Sequence, residues 1–157
     1  MKRVNRLILV GAISTISVML LAFARADQQS DLDLEVTVTA LNGSGVSGIA
    51  TVDISDDGLR GKLKAENLTP GHGYTVWFFY IQDGASGGPG RFDSTVAESG
   101  EVTFRGHVGG LQVSSGATIK LLIFEHPGLG ATNVTRAANL LTPAGGSAVG
   151  QAVFTIP

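Results

Sequence analysis

Residues 74–82 have the sequence YTVWFFYIQ, a run that is rich in aromatic and β-branched side chains. Successive side chains of a β-strand point to opposite faces, and here both alternating sets are apolar. That pattern predicts a strand buried on both faces. Residues 117–126, ATIKLLIFEH, repeat it. We therefore expect these two segments to be the central strands of a two-layer fold.

Strands with one exposed face precede this run. Apolar and polar residues alternate from Leu32 to Thr39. Residues 46–54 are rich in β-branched side chains, and alternation resumes in residues 59–66. Turn-forming sequences separate these segments at residues 42–45 and 55–58. The three segments therefore predict a meander of antiparallel strands with one solvent-exposed face.

The remainder of the chain continues the β pattern. We expect a Gly-rich loop from Asp83 to Asp93, a short strand near residues 94–98, and strands at 101–108 and 149–156. About eight strands result, at the spacing typical of a sandwich, and only residues 133–141 favour a helical turn. The sequence predicts an all-β fold, a single antiparallel β-sandwich of immunoglobulin-like type.

A long connection, Pro127–Ser147, exceeds the usual loop length and is expected to fold over part of the sandwich. The candidate for the covered surface is the outer apolar face. That face carries Trp77, Phe79, Leu122 and Phe124. If the connection does not cover these four residues, they form a partner surface.

The first 26 residues have the pattern of a signal peptide. Three basic residues precede an uncharged apolar run from Leu7 to Ala24, and Ala24-Arg25-Ala26 has small residues where a signal peptidase reads. We expect cleavage after Ala26, with a second candidate site after Ala24. Residues 27–157 are then one exported domain, periplasmic or extracellular, without a stable membrane anchor. The alternative is an uncleaved anchor, because the run is just long enough to span a bilayer.

Composition narrows the classes of function. Residues 27–157 hold seven Lys and Arg against 13 Asp and Glu, a net charge of −6. The basic residues are scattered along the sequence, so we expect no nucleic-acid partner. The chain has no Cys, which excludes thiolate catalysis and thiolate metal ligands. An exported domain without disulfides has to rely on its hydrophobic core.

Residues 68–74, LTPGHGY, form a corner at the start of the first two-sided strand. Pro fixes φ, Gly permits positive φ, and Tyr74 can bond back to the backbone of the corner. This motif resembles the tyrosine corner of immunoglobulin-like and fibronectin type III domains.

A second resemblance covers residues 50–141. The segments 58–61 (GLRG), 70–77 (PGHGYTVW) and 125–128 (EHPG) are similar to those of a group of exported bacterial proteins of unknown function. That group often carries Cys in the loop after the Trp-containing strand, and this chain has none there. The resemblance implies architecture and export, and no activity.

Histidine is the residue type that could hold a metal here. His72 begins one two-sided strand and His126 ends the other, so antiparallel pairing would bring them to the same end of a sheet. Imidazoles in an exported protein suit Cu or Zn. The other interpretation is that both are hydrogen-bonded histidines at strand ends. His107, near Arg105, is expected on an exposed strand face.

Three short motifs match functional patterns without the required context. Residues 84–88 spell G-x-S-x-G, but no strand–turn–helix elbow follows. Residues 43–48 spell G-x-G-x-x-G but lead into a strand, so we expect a hairpin loop. Residues 53–58 begin like a calcium-binding loop, yet Lys64 occupies the twelfth position, and a β-turn is favoured over a weak Ca²⁺ site.

Two charge rows lie on outer strand faces. Asp31, Asp33 and Glu35 form an acidic row, and Arg60, Lys62 and Lys64 form a basic row. They could bind a charged glycan or protein partner. The interpretation we favour at this point is a solvated face with cross-strand ion pairs.

The spacing of residues along the sequence does not bring an acid, a base and a nucleophile together. We therefore name no catalytic residue and expect no cofactor. The leading hypothesis is an exported non-enzymatic β-sandwich protein with a binding or scaffolding role towards an unknown protein or glycan. The alternative is a periplasmic Cu- or Zn-binding or redox protein that uses His72 and His126.

Overall fold

The structure is a computed structural model that describes residues 32–128 and 146–157. Within those ranges it contains nine β-strands and no helix. The strands are β1 (Leu32–Thr37), β2 (Thr39–Ala40), β3 (Ser47–Ser55), β4 (Gly58–Glu66), β5 (Gly73–Gln82), β6 (Ala85–Val96), β7 (Glu101–Gly109), β8 (Thr118–His126) and β9 (Ser147–Thr155). The predicted all-β fold is confirmed. A two-residue strand, β2, brings the number of strands above the expected eight or so.

The strands form two antiparallel sheets in a sandwich-like arrangement. The four-stranded sheet has the order β1-β3-β4-β7, and the five-stranded sheet has the order β2-β9-β8-β5-β6. The predicted meander is confirmed, because β3 pairs with both β1 and β4. The first strand changes sheets at Val38, which is buried and donates its N–H to the carbonyl of Gly48 at 2.9 Å.

The two apolar segments are internal strands of one sheet. β5 lies between β6 and β8, and β8 lies between β5 and β9. Tyr74, Val76 and Phe78 are buried in the core, and Thr75 and Trp77 on the opposite face are buried as well. From Phe79 onwards β5 is only half-buried. Burial on both faces therefore holds for the first part of the strand.

The hydrophobic core lies between the two sheets and is built from the inward-facing position of each strand. It joins Ala50, Val52, Ile54, Leu59, Leu63 and Phe104 of the four-stranded sheet to Val76, Phe78, Ile119, Leu121, Ile123 and Phe154 of the five-stranded sheet. Each fully buried Val, Leu, Ile or Phe side chain contributes about 1.5–3 kcal/mol of transfer free energy. This core holds the sheets together without any disulfide.

The expectation of a Gly-rich loop at residues 83–93 is wrong, because a strand, β6, runs from Ala85 to Val96. Asp83 and Gly84, with φ of 51° and 75°, form a two-residue turn that returns the chain along β5. Asp-Gly is a typical sequence for such a turn, since both residues need positive φ. Glycines tolerate a strand conformation, and the position of β6 at the sheet edge relaxes the pairing demands.

An irregularity in β6 directs Phe92 into the sandwich. Val76 pairs with Asp93 and Trp77 pairs with Arg91, so Phe92 is an extra residue in the ladder. Such a bulge re-aims a side chain. The ring of Phe92 lies over Gly61 and Gly106, which are directly opposite each other on β4 and β7. A Cβ at Gly61 would lie 2.9 Å from this ring, so both glycines make room for it.

Several predictions concern residues outside the described ranges. These are the signal peptide at residues 1–26, the helical turn at 133–141 and most of the connection between Pro127 and Ser147. Among the residues that the structure describes, no helix is long and apolar enough to cross a membrane.

Candidate functional site

His72 and His126 lie at the same end of the five-stranded sheet, because β5 and β8 are antiparallel neighbours with Gly73 opposite His126. Their side chains have different surroundings. His72 Nδ1 is 2.8 Å from Glu125 Oε1, whereas His126 Nε2 is 2.9 Å from Thr75 Oγ1. Consecutive residues Glu125 and His126 point to opposite faces of the sheet. The two imidazoles are therefore oriented to opposite sides.

The two histidines also differ in exposure. His72 is half-buried, and His126 is 1% exposed. The ring of His126 is packed so closely that a Cβ on Gly146 would lie 2.5 Å from its Cε1. No group of three or more His, Asp or Glu residues in the described ranges is placed to hold a metal ion. The Cu or Zn site at His72 and His126 stays a prediction.

Glu125 connects the corner at residues 68–74 to β8. Tyr74 Oη accepts a hydrogen bond from the backbone N–H of Thr69 and donates one to Glu125 Oε1, both at 2.8 Å. The bond back to Thr69 is the one expected of a tyrosine corner. Partial burial by itself raises the pKa of Glu125, but the hydrogen bonds from Tyr74 and His72 outweigh it and hold that pKa below its ordinary value. Burial and the adjacent carboxylate raise the pKa of Tyr74.

The expected partner surface lies on the outer face of the five-stranded sheet, where Trp77 on β5 is directly opposite Leu122 on β8. Trp77 is 2% exposed, while Phe79, Leu122 and Phe124 are half-buried. The Trp77 Nε1 is buried and has no hydrogen-bond partner among the described residues. The connection that we expected to cover this face lies largely outside those residues.

The three short motifs lie where one strand ends and the next begins. Residues 84–88 form the turn and the start of β6, and residues 43–48 connect β2 to β3. Residues 53–58 end β3 and enter β4 through a two-residue turn, with Ser55 paired to Gly58. The predicted β-turn is confirmed, and residues 43–48 lead into a strand as expected, although β2 and β3 belong to different sheets.

The outer face of the four-stranded sheet brings the charged residues together. A groove of about 480 Å³ crosses this face. Its charged side chains are Asp33, Glu35, Asp53, Arg60, Lys62 and Arg105. We call this surface the charged groove. Although the basic residues are scattered along the sequence, the fold brings Arg60, Lys62 and Arg105 together on the adjacent strands β4 and β7.

The ion pairs near the charged groove leave two of its cations without a counter-ion. Lys64 contacts Glu66 and Glu101 at 2.9 and 3.1 Å, and Arg60 approaches the exposed Asp57 at 3.9 Å. Hydrogen bonds to Glu66 and Glu101 raise the pKa of Lys64. Lys62 and Arg105, directly opposite each other, form no ion pair with any described residue.

The acidic and basic rows predicted from the sequence are not neighbours. The acidic row, with Asp33 and Glu35, lies on β1, and the basic row lies on β4, with β3 between them. The cross-strand ion pair that the basic row forms is therefore with β7, between Lys64 and Glu101, and not with the acidic row. Asp31 lies outside the described residues. Arg105 was not predicted as part of the basic row, because only the pairing of β4 with β7 places it there.

Comparison with protein-family models, curated proteins and solved structures finds no match to this chain.

Proposed function

We propose that the chain is an exported, non-catalytic binding module and that the charged groove is its contact surface. The observation that carries this proposal is the pair Lys62 and Arg105. Like charges directly opposite each other on neighbouring strands destabilise a sheet. No described residue forms an ion pair with Lys62 or Arg105, so an anionic group from a ligand would relieve the repulsion.

The absence of a placed catalytic set in the sequence supports the non-catalytic part, and the N-terminal pattern supports export. The resemblance to exported bacterial proteins supports the same compartment. The finer immunoglobulin-like type stays a prediction. The tyrosine corner favours it, whereas the direct hairpin from β3 to β4 departs from the ABED and CFG sheets of immunoglobulin domains.

Titration of the isotopically labelled protein with sulfate and with short oligoanions at low ionic strength tests the proposal. Backbone amides of β3, β4 and β7 should shift most, and those of β5 and β8 should shift least, because the groove lies on the outer face of the four-stranded sheet and β5 and β8 belong to the other sheet. Absence of shifts on the charged groove with every anion would contradict it. Turnover on an ester, glycoside or peptide panel that a single substitution abolishes would contradict the non-catalytic part.

The second candidate is the Cu or Zn protein. Glu125 engages Nδ1 of His72, an arrangement that directs the other ring nitrogen towards a metal in carboxylate–histidine–metal triads. Elemental analysis after loading with Cu or Zn tests it. Stoichiometric metal that is lost in His72→Ala and kept in His107→Ala would support this candidate. Protein without metal after loading would retire it.

A further inference from the structure

We infer that the ligand of the charged groove is an acidic glycan, a chain of sugars that carries anionic groups as well as hydroxyls. This inference rests on the proposed function and specifies the class of ligand. It depends on how charge is distributed across the groove.

The strand register arranges outward-facing side chains of the four-stranded sheet, including those of the groove, in two rows that run across the sheet. The first row is Glu35, Thr51, Lys62 and Arg105, and the second is Asp33, Asp53, Arg60 and His107. Three inter-strand spacings make each row about 14 Å long. Both rows begin with a carboxylate on β1 and have a cation on β4, and Arg105 on β7 adds a second cation to the first row. The groove therefore has an acidic side and a basic side.

The basic side suits an anionic group. Directly opposite residues of an antiparallel pair have Cβ atoms about 5 Å apart, so the Lys62 ammonium and the Arg105 guanidinium can reach the same oxyanion. Hydrogen bonds between charged groups are the strong ones, and a guanidinium binds carboxylate or sulfate in a bidentate manner. Arg60, two residues from Lys62 on the same face, extends this side along the strand.

The acidic side suits hydrogen-bond donors without negative charge. Asp33, Glu35 and Asp53 present carboxylate oxygens, which only accept hydrogen bonds. Thr51 lies between the two sides and can donate and accept. A sugar offers hydroxyl donors at every residue, so it can satisfy several acceptors in both rows at once. An acidic glycan therefore matches both sides of the groove.

Other occupants match only part of this surface. An acidic peptide or an anionic membrane would meet the same repulsion from the three carboxylates as an acidic glycan, but it offers no row of sugar hydroxyls that could donate hydrogen bonds to them. A second copy of the chain, turned about an axis parallel to the strands, would place acidic rows over basic ones. Its interface would then have charged residues at the centre, where stable interfaces are depleted of them.

The test is a binding titration of the purified chain with trigalacturonate. A sulfated trisaccharide distinguishes the two sources of the anionic group, and binding of either one supports the inference. The methyl ester of trigalacturonate, which has the hydroxyls without the charge, and triglutamate, which has the charge without the hydroxyls, are the matched ligands. We expect the acidic trisaccharide to bind at least about tenfold more tightly than both.

Four variants refine the test. Lys62→Gln and Arg105→Gln should each weaken binding about tenfold, while Lys120→Gln, on the outer face of the five-stranded sheet, should not. Glu35→Ala is decisive because it should change the affinity in opposite directions for the two kinds of ligand. Loss of a hydroxyl acceptor weakens binding of the acidic glycan, whereas loss of a negative charge strengthens binding of a ligand that is only anionic.

Triglutamate binding as tightly as trigalacturonate, or tighter binding by Glu35→Ala, would overturn the inference and leave the proposed function standing. Self-association that shifts the same amides without ligand would assign the groove to a second copy and overturn the inference as well. If no anion shifts the backbone amide resonances of the groove, both the inference and the proposed function are overturned.

Discussion

At the scale of single residues, the position of Lys62 opposite Arg105 favours the binding of an anionic ligand and lowers the stability of the folded state. Residues selected for a ligand are often suboptimal for the fold. Two facing cations are an example, since a carboxylate at one of these positions would form a cross-strand ion pair instead. We therefore predict an effect of this pair on the free energy of unfolding, which can be measured without a ligand.

Lys62→Glu should raise the free energy of unfolding by about 0.2–1 kcal/mol, because an opposite-charge pair replaces a like-charge pair. This increase in the free energy of unfolding should be smaller at high salt, because salt screens the interaction between exposed charges. Denaturant unfolding at two ionic strengths measures it. Lys64→Glu is the matched control and should lower stability, because it removes the ion pairs to Glu66 and Glu101. A loss of stability in Lys62→Glu comparable to that of the control would contradict the argument.

Glu125 makes a second residue-scale prediction, which concerns pH. Its pKa is lower in the folded protein than its ordinary value, so the folded state favours the ionised form. The stabilisation is complete above the ordinary pKa and is lost as the pH falls through the folded value. We expect Glu125→Gln to cost about 1–3 kcal/mol at neutral pH and progressively less in acid.

Unfolding curves between neutral pH and acid measure the effect of Glu125→Gln. Glu98→Gln, at an exposed position after β6, is the control and should leave the pH dependence unchanged. A cost in Glu125→Gln that stays constant as the pH falls would show that the two hydrogen bonds do not depend on ionisation.

At the scale of elements, the β5–β6 hairpin depends on its turn. Gly84 has a φ of 75°, where a residue with a Cβ is disfavoured by about 1–2 kcal/mol. Gly84→Ala should destabilise the protein by that amount and increase hydrogen exchange in β5 and β6. Gly90→Ala, in strand β6 of the same hairpin and in open space, should be neutral or slightly stabilising. Equal effects of the two substitutions would contradict the assigned turn.

The β5–β6 hairpin shows which strands could be predicted from the sequence and which could not. The two-sided apolar patterns of residues 74–82 and 117–126 predicted internal strands correctly, because burial on both faces leaves a strong signal. β6 was missed because its glycines carry no alternation, although Asp83-Gly84 was a usable turn signal. The pairing of Lys62 with Arg105 could not be predicted, since strand order comes from long-range packing and not from local pattern.

At the scale of the whole molecule, Phe92 couples the two sheets. Its ring occupies the space that Gly61 and Gly106 leave on the four-stranded sheet. Asp93, the next residue, accepts a hydrogen bond from the backbone N–H of Arg105 at 2.8 Å. One strand of the five-stranded sheet thus fills the core and also caps an edge amide of β7.

Gly106→Ala should cost about 1–3 kcal/mol through overpacking against Phe92. The penalty should fall when Phe92→Leu is combined with it, because the smaller side chain leaves room for the new methyl group. A double-mutant cycle by denaturant unfolding measures this coupling. Additive effects of the two substitutions would show that Phe92 does not fill the space over Gly106.

The change of sheet at Val38 has a mechanical consequence. The segment from Leu32 to Ala40 pairs with β3 through six residue pairs and with β9 through two. A force that pulls this segment along its own axis would load hydrogen bonds in both layers in shear, all at the same time, instead of peeling them off one by one. Tension on the N-terminal side is thereby shared between the layer that carries the groove and the layer that carries Trp77.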